Sequence, residues 1–144
     1  MEQNIDLRRR TMMTLWFAMF MAVVMYFILS RLAGIQFRPL SQSESLIIVS
    51  LTVVSMFLII VSFALKRMFL KRSVEMQSLP QVQTAYIIAW AFCEAAALFG
   101  LLEAFAFGYR LYYILFILAA IGMLFHFPNG EHLLAASYKN SNKL

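Results

Sequence analysis

The sequence predicts an all-α membrane protein: a four-transmembrane-helix bundle of two antiparallel hairpins, with both termini in the cytoplasm. Three observations predict it. Hydrophobic residues make up 62% of the 144-residue chain and charged residues only 13%, against roughly 45–50% and about 25% in soluble domains. The charges gather in short clusters separated by apolar stretches near the ~20 residues that a spanning helix needs. The basic residues flank those stretches, as they do beside a membrane surface. A chain this small cannot bury so much apolar surface in water, because a small fold leaves much of its surface exposed. Its length suits a single membrane domain, residues 1–144.

The first span covers residues 11–30, uncharged between Arg8-Arg9-Arg10 and Arg31. Three arginines before an apolar stretch also resemble a signal peptide. The uncharged stretch of 20 residues is longer than an h-region of about 7–15, and Arg31 spoils the cleavage site, so the segment reads as a retained span. The second span, 46–65, follows Pro39 and the polar run Ser41-Gln42-Ser43-Glu44-Ser45, which can cap the helix start. It ends at Lys66-Arg67, and residues 66–83 form the cytoplasmic loop. The third span, 84–107, carries Glu94 and Glu103. A connection of little more than Gly108 leads to the fourth, 109–127. Pro128-Asn129-Gly130 closes that span, since such a run stops a helix. A short interfacial helix is expected over Glu131–Tyr138, followed by a polar tail; the cytoplasmic tail as a whole is 128–144.

Charge asymmetry sets the orientation. Arg8, Arg9, Arg10, Lys66, Arg67, Lys71, Arg72, Lys139 and Lys143 place nine basic residues on one side, against Arg31, Arg38 and Arg110 on the other. The positive-inside rule assigns the first side to the cytoplasm. The expected location is the plasma membrane, as a bacterial inner-membrane protein. Lys66, Arg67, Lys71 and Arg72 recur at helical spacing, and anionic lipid head groups are their expected partner. The net charge of +5 therefore points to a membrane surface and not to nucleic acid.

Glu94 carries the strongest signal of chemistry. It lies near the midpoint of its span, where a carboxylate costs about 2.5–3.5 kcal/mol on insertion scales, so an ionisable group there is a functional suspect. Desolvation favours its neutral, protonated form. No span supplies an intramembrane Lys or Arg, which leaves hydroxyls as partners, and Ser55 lies at a similar depth. Glu103 follows nine residues later, two and a half turns on and about 13 Å along the axis. The two carboxylates therefore face opposite sides of one helix and form no pair within a subunit. Glu103 is expected at the outer interface, in an ion pair with Arg31 or Arg110.

The third helix also carries small residues in steps of three and four: Ala85, Ala89, Cys93, Ala96, Ala97, Gly100 and Ala104. Such a stripe lets helices approach closely in lipid, either inside the bundle or in a homo-oligomer. Glu94 lies off it, beside Ile87, Trp90, Leu98 and Leu101.

The run Glu94-Ala95-Ala96-Ala97-Leu98-Phe99-Gly100-Leu101 resembles the ion-carrying helix of the rotor-ring proteolipid, the c subunit of rotary ATP synthases. The likeness covers residues 80–101, including a preceding polar loop with Pro80 and Gln81. It implies proton binding at Glu94.

His126, Glu131 and His132 cluster after the fourth span, but the Pro128-Asn129-Gly130 break and the absence of nearby cysteine argue against zinc. Cys93, the only cysteine, reads as a packing residue. No metal or cofactor is expected. With nearly all of the chain committed to spanning, the sequence points to a non-enzymatic subunit, scaffold or accessory factor of a membrane complex. The alternative is a proton- or ion-handling protein that uses Glu94.

Overall fold

The computed structural model describes residues 2–137, so Lys139, Lys143 and the rest of the expected tail beyond residue 137 lie outside the described residues. Among the described residues the chain is all-helical: α1 (Glu2–Leu32), α2 (Gln42–Glu75), α3 (Leu79–Phe107), α4 (Tyr113–Phe125) and α5 (Gly130–Ser137). Three of these helices, α1 to α3, are long and apolar enough to cross a membrane. A fourth crossing exists only if α4 and α5 count as one segment, bent by 44° at their break.

The start of α2 is fixed by a capping box. Ser41 Oγ accepts the Glu44 backbone N–H while the Glu44 carboxylate accepts the Ser41 backbone N–H, which satisfies two otherwise orphaned donors. Arg38 closes the motif by bonding Glu44. The polar run 41–45 thus caps the helix as expected.

The end of α2 departs from expectation. The helix runs on through Lys66–Glu75, so the expected loop 66–83 shrinks to Met76–Ser78. Residues 66–75 contain no glycine or proline to end the helix, and Leu70 and Ser73 are drawn inward, with Ser73 buried. Gln77 turns the chain with φ 49°. Pro80 then sits in the first turn of α3, where its missing N–H costs no helical hydrogen bond.

Of the three long helices α3 is the most enclosed: 44% of its most apolar stretch is buried, against 11% for α1 and 17% for α2. It packs against every other helix. By contrast the backbones of α1 and α2 do not approach each other closely among the described residues. The first of the two expected hairpins is therefore not a packed pair, because α3 and α4 supply the surfaces against which α1 rests. The small residues explain the density at α3. Ala85, Ala89, Cys93, Ala96, Ala97, Gly100 and Ala104 are all buried, and they set the approach of the neighbours. A Cβ on Gly100 would stand 3.0 Å from Leu115 Cβ, and one on Gly122 would stand 2.9 Å from Cys93 Sγ.

At its far end α3 stops at Gly108, in the left-handed region with φ 59°. The Gly108 and Tyr109 N–H groups return to the carbonyls of Ala104 and Glu103, a C-terminal arrangement that favours glycine. The connection then runs over 108–112, longer than the near-direct turn expected, and α4 begins at Tyr113 instead of 109. With 13 residues α4 is about 20 Å long, too short for the ~30 Å hydrocarbon core.

The break after α4 falls at Phe127-Pro128-Asn129, where proline removes a donor and disfavours helix at the residue before it. The buried carbonyls are met from two sides. Trp16 Nε1 of α1 donates to the Met123 carbonyl at 2.9 Å, and Trp90 Nε1 of α3 donates to the His126 carbonyl at 2.9 Å. The Tyr86 hydroxyl accepts the Asn129 N–H at 3.2 Å.

The Gly122–Cys93 contact gives a test of this packing. Gly122→Ala is expected to lower stability by roughly 1–3 kcal/mol, the usual cost of overpacking. Adding Cys93→Ala, which removes the clashing sulfur, should recover part of that loss in thermal unfolding in detergent followed by circular dichroism. No recovery would mean that the two residues do not limit the α3–α4 approach.

Candidate functional site

The polar side chains inside this apolar fold sit mainly on or against α3, and they form three separate arrangements. In the first, the Tyr26 hydroxyl of α1 donates to Glu94 Oε1 at 2.9 Å. Both residues are partly buried. The expected partner, Ser55, is buried on α2 and gives its proton to its own Leu51 carbonyl at 2.8 Å. Depth along the helix axis matched Ser55 to Glu94, but Glu94 is turned toward α1, away from α2.

The second arrangement corrects the expectation for Glu103. Glu103 pairs with neither Arg31 nor Arg110 among the described residues; it is buried at 1% exposure. Thr52 Oγ1 lies 3.0 Å from Glu103 Oε1 and 2.9 Å from the Ile48 carbonyl. Its single proton is shared between the two acceptors. Arg31 and Arg110 are exposed, and the one ion pair among the described residues is Arg38–Glu44. The half-turn offset between the carboxylates does hold: Glu94 meets α1 and Glu103 meets α2. Each carboxylate thereby ties α3 to a different flanking helix.

The third arrangement was not visible in the sequence. His126, at the end of α4, is fully buried, with Nε2 2.8 Å from Ser62 Oγ of α2. Ser62 Oγ donates to the Ile59 carbonyl at 2.6 Å. The Ser62–His126 bond can be donated from either side, by Nε2 in one imidazole tautomer or by the hydroxyl in the other. His126 Nδ1 has no partner among the described residues. Cys93 Sγ lies 4.0 Å from Ser62 Oγ, and the Phe63 ring 4.3 Å from the imidazole. The pair links α2 to α4. Trp90 belongs to the same region: it is fully buried with its indole on the His126 carbonyl, on the enclosed side of α3.

The basic residues gather at one end of the molecule. Lys66 Nζ lies 4.4 Å above the Tyr86 ring, and Tyr86 lies 6.1 Å from the His132 ring. A Cβ on Gly130 would stand 3.6 Å from the Arg9 side chain. Lys71 and Arg72 are exposed further along α2. Among the described residues no group of His, Cys, Asp and Glu is placed to hold a metal ion.

The two carboxylate ties should differ in strength. Thr52→Val leaves a buried Glu103 without its partner and is expected to cost roughly 1–3 kcal/mol, whereas Tyr26→Phe beside the partly exposed Glu94 should cost about 1 kcal/mol or less. Thermal unfolding of both variants in detergent checks this, and equal losses would contradict the difference in burial. No known protein family, curated protein or solved structure matches this chain.

Proposed function

We propose that this chain is a small, non-enzymatic, multi-pass membrane protein that serves as a subunit, scaffold or accessory factor of a membrane complex. The observation that carries the reading is the use made of the two intramembrane carboxylates. Each is tied by one hydroxyl to a flanking helix, Glu94 to Tyr26 and Glu103 to Thr52, so the costly groups serve to hold helices together. The polar residues Ser62 and His126 are joined in the same way. The apolar faces of α1 and α2 are open along most of their length, with Phe17, Val53, Phe57 and Ile60 each more than half exposed. In a bilayer such faces meet lipid or the helices of a partner.

Four crossings with both termini in the cytoplasm follow from the same reading. Arg9, Lys66 and His132 lie at one end of the helices, and the positive-inside rule places that end in the cytoplasm. The plasma membrane, as a bacterial inner membrane, is the proposed location. Reporter fusions at residues 35 and 77 should give opposite sidedness; the same sidedness for both would refute the topology. The function itself is tested by extracting the full chain in a mild detergent and sizing it. A discrete complex containing other proteins is expected, and a monodisperse monomer in every mild detergent would overturn the accessory-subunit reading.

A second reading is favoured by one specific observation: Glu94 is only partly buried, so its carboxyl is reachable from the membrane. Together with the likeness of residues 80–101 to the rotor-ring proteolipid, this supports proton or ion binding at Glu94. A hydrophobic carbodiimide attacks protonated carboxyls in lipid. Under the second reading it should label Glu94 and leave the enclosed Glu103 unmodified, and Glu94→Gln should abolish an activity while expression and assembly persist. Failure to label Glu94 would remove this reading.

A further inference from the structure

The four basic residues at the end of α2 do not act alike. Lys71 and Arg72 border an open hollow with Met68 and Glu75. Lys66 and Arg67 instead line a groove of about 580 Å³ between α2 and α5, together with Ile60, Phe63, Ala64, Leu70 and His132. Ile60, Phe63, Ala64 and Arg67 follow steps of three and four and form one stripe along α2. The groove therefore crosses a boundary. Its first half belongs to the uncharged stretch 46–65, and its second half begins where the charges begin. From Ile60 to Arg67 the rise is about 10 Å, the step from upper acyl chain to head group in a leaflet.

Its two cationic side chains, Lys66 and Arg67, make no ion pair among the described residues. The Lys66 ammonium rests on the Tyr86 ring, and the Tyr86 hydroxyl is fixed by the Asn129 N–H at the α4–α5 break. Neither Lys66 nor Arg67 meets a carboxylate among the described residues, where Arg38–Glu44 is the one ion pair. Glu131 acts electrostatically on its neighbour His132 and accepts from the Asn129 side-chain amide at 3.2 Å. Lys66 and Arg67 are left with no ion-pair partner among the described residues.

We infer that the α2–α5 groove is a binding site for one anionic glycerophospholipid. Its phosphate lies between Lys66, Arg67 and His132, and an acyl chain lies along Ile60, Phe63 and Ala64. The volume falls in the range of ligand sites, roughly 300–1,000 Å³. Arginine suits a phosphate because its planar fork matches two phosphate oxygens. The site rests on the membrane reading of α2 and is independent of any partner protein.

The test uses the delipidated full chain in a nonionic detergent, titrated with phosphatidylglycerol or phosphatidylcholine and read by native mass spectrometry. Phosphatidylglycerol should bind at least about tenfold more tightly, and Lys66→Gln with Arg67→Gln should reduce that binding about tenfold or more. Lys71→Gln with Arg72→Gln removes the same charge outside the groove and should change binding less than about threefold. Ala64→Phe fills the apolar half without touching charge and should also weaken binding. Equal losses from the two charge pairs would overturn the site in favour of diffuse surface attraction. Competition by soluble glycerol phosphate as effective as the lipid would overturn it in favour of a free-phosphate site. If the Lys66/Arg67 variant does not fold by circular dichroism, Ala64→Phe and the competition decide, and unchanged binding by Ala64→Phe refutes the acyl contact. Carbonate extraction of the same proteins separates failure of the membrane premise from failure of the site.

Discussion

The buried carbonyls at the end of α4 are the constraint around which the fold is arranged. A helix end leaves its last carbonyls without intrahelical donors, and in an apolar protein water is a scarce replacement. Here the donors are two indoles, Trp16 from α1 and Trp90 from α3, on the carbonyls of Met123 and His126. The His126 side chain reaches α2 through Ser62, and Tyr86 takes the Asn129 N–H just beyond the break. One interrupted helix thus collects contacts from all three long ones. The short α4 is tolerated because its end is a junction.

Around that junction α3 acts as the axis of the molecule. Its small residues draw α2 and α4 close, and its two carboxylates reach in opposite directions to α1 and α2. Hydrogen bonds between helices in lipid are worth little individually, about 0.6 kcal/mol on average in one well-studied case. Their value here is directional: each fixes which face of a flanking helix meets α3. The dense packing of Ala85, Ala89, Cys93, Ala96 and Ala97 supplies the remaining attraction through dispersion.

Much of the helical plan was legible in the sequence. Uncharged stretches predict the long helices, Ser41 and Glu44 predict the cap of α2, and Pro128-Asn129-Gly130 predicts the break. The nine-residue spacing of the carboxylates predicts that they point apart, since helical geometry alone decides it. What was not legible depends on which helix stands beside which. Ser55 matched Glu94 in depth, but depth along an axis does not reveal azimuth, and Tyr26 holds that position. Glu103 looked interfacial because it lies near a helix end, and Thr52 covers it from a neighbour. The sequence set Trp90 beside Glu94, off the small-residue stripe, with no sign that its indole serves an inner carbonyl. The helical spacing of Lys66-Arg67 and Lys71-Arg72 pointed to the run over 66–75, whose charges mark where lipid ends and not where a helix ends.

The separation of the α1 and α2 backbones has a consequence for how the chain is made. Synthesis delivers α1 and α2 first, and neither packs its backbone closely on the other. Each must be stable alone in the bilayer, and each has an uncharged core of 20 residues suited to that. The helix that carries two carboxylates emerges third, when Tyr26 and Thr52 are already in place to receive it. In chain order the two helices with uncharged cores come first and the one with two carboxylates comes third.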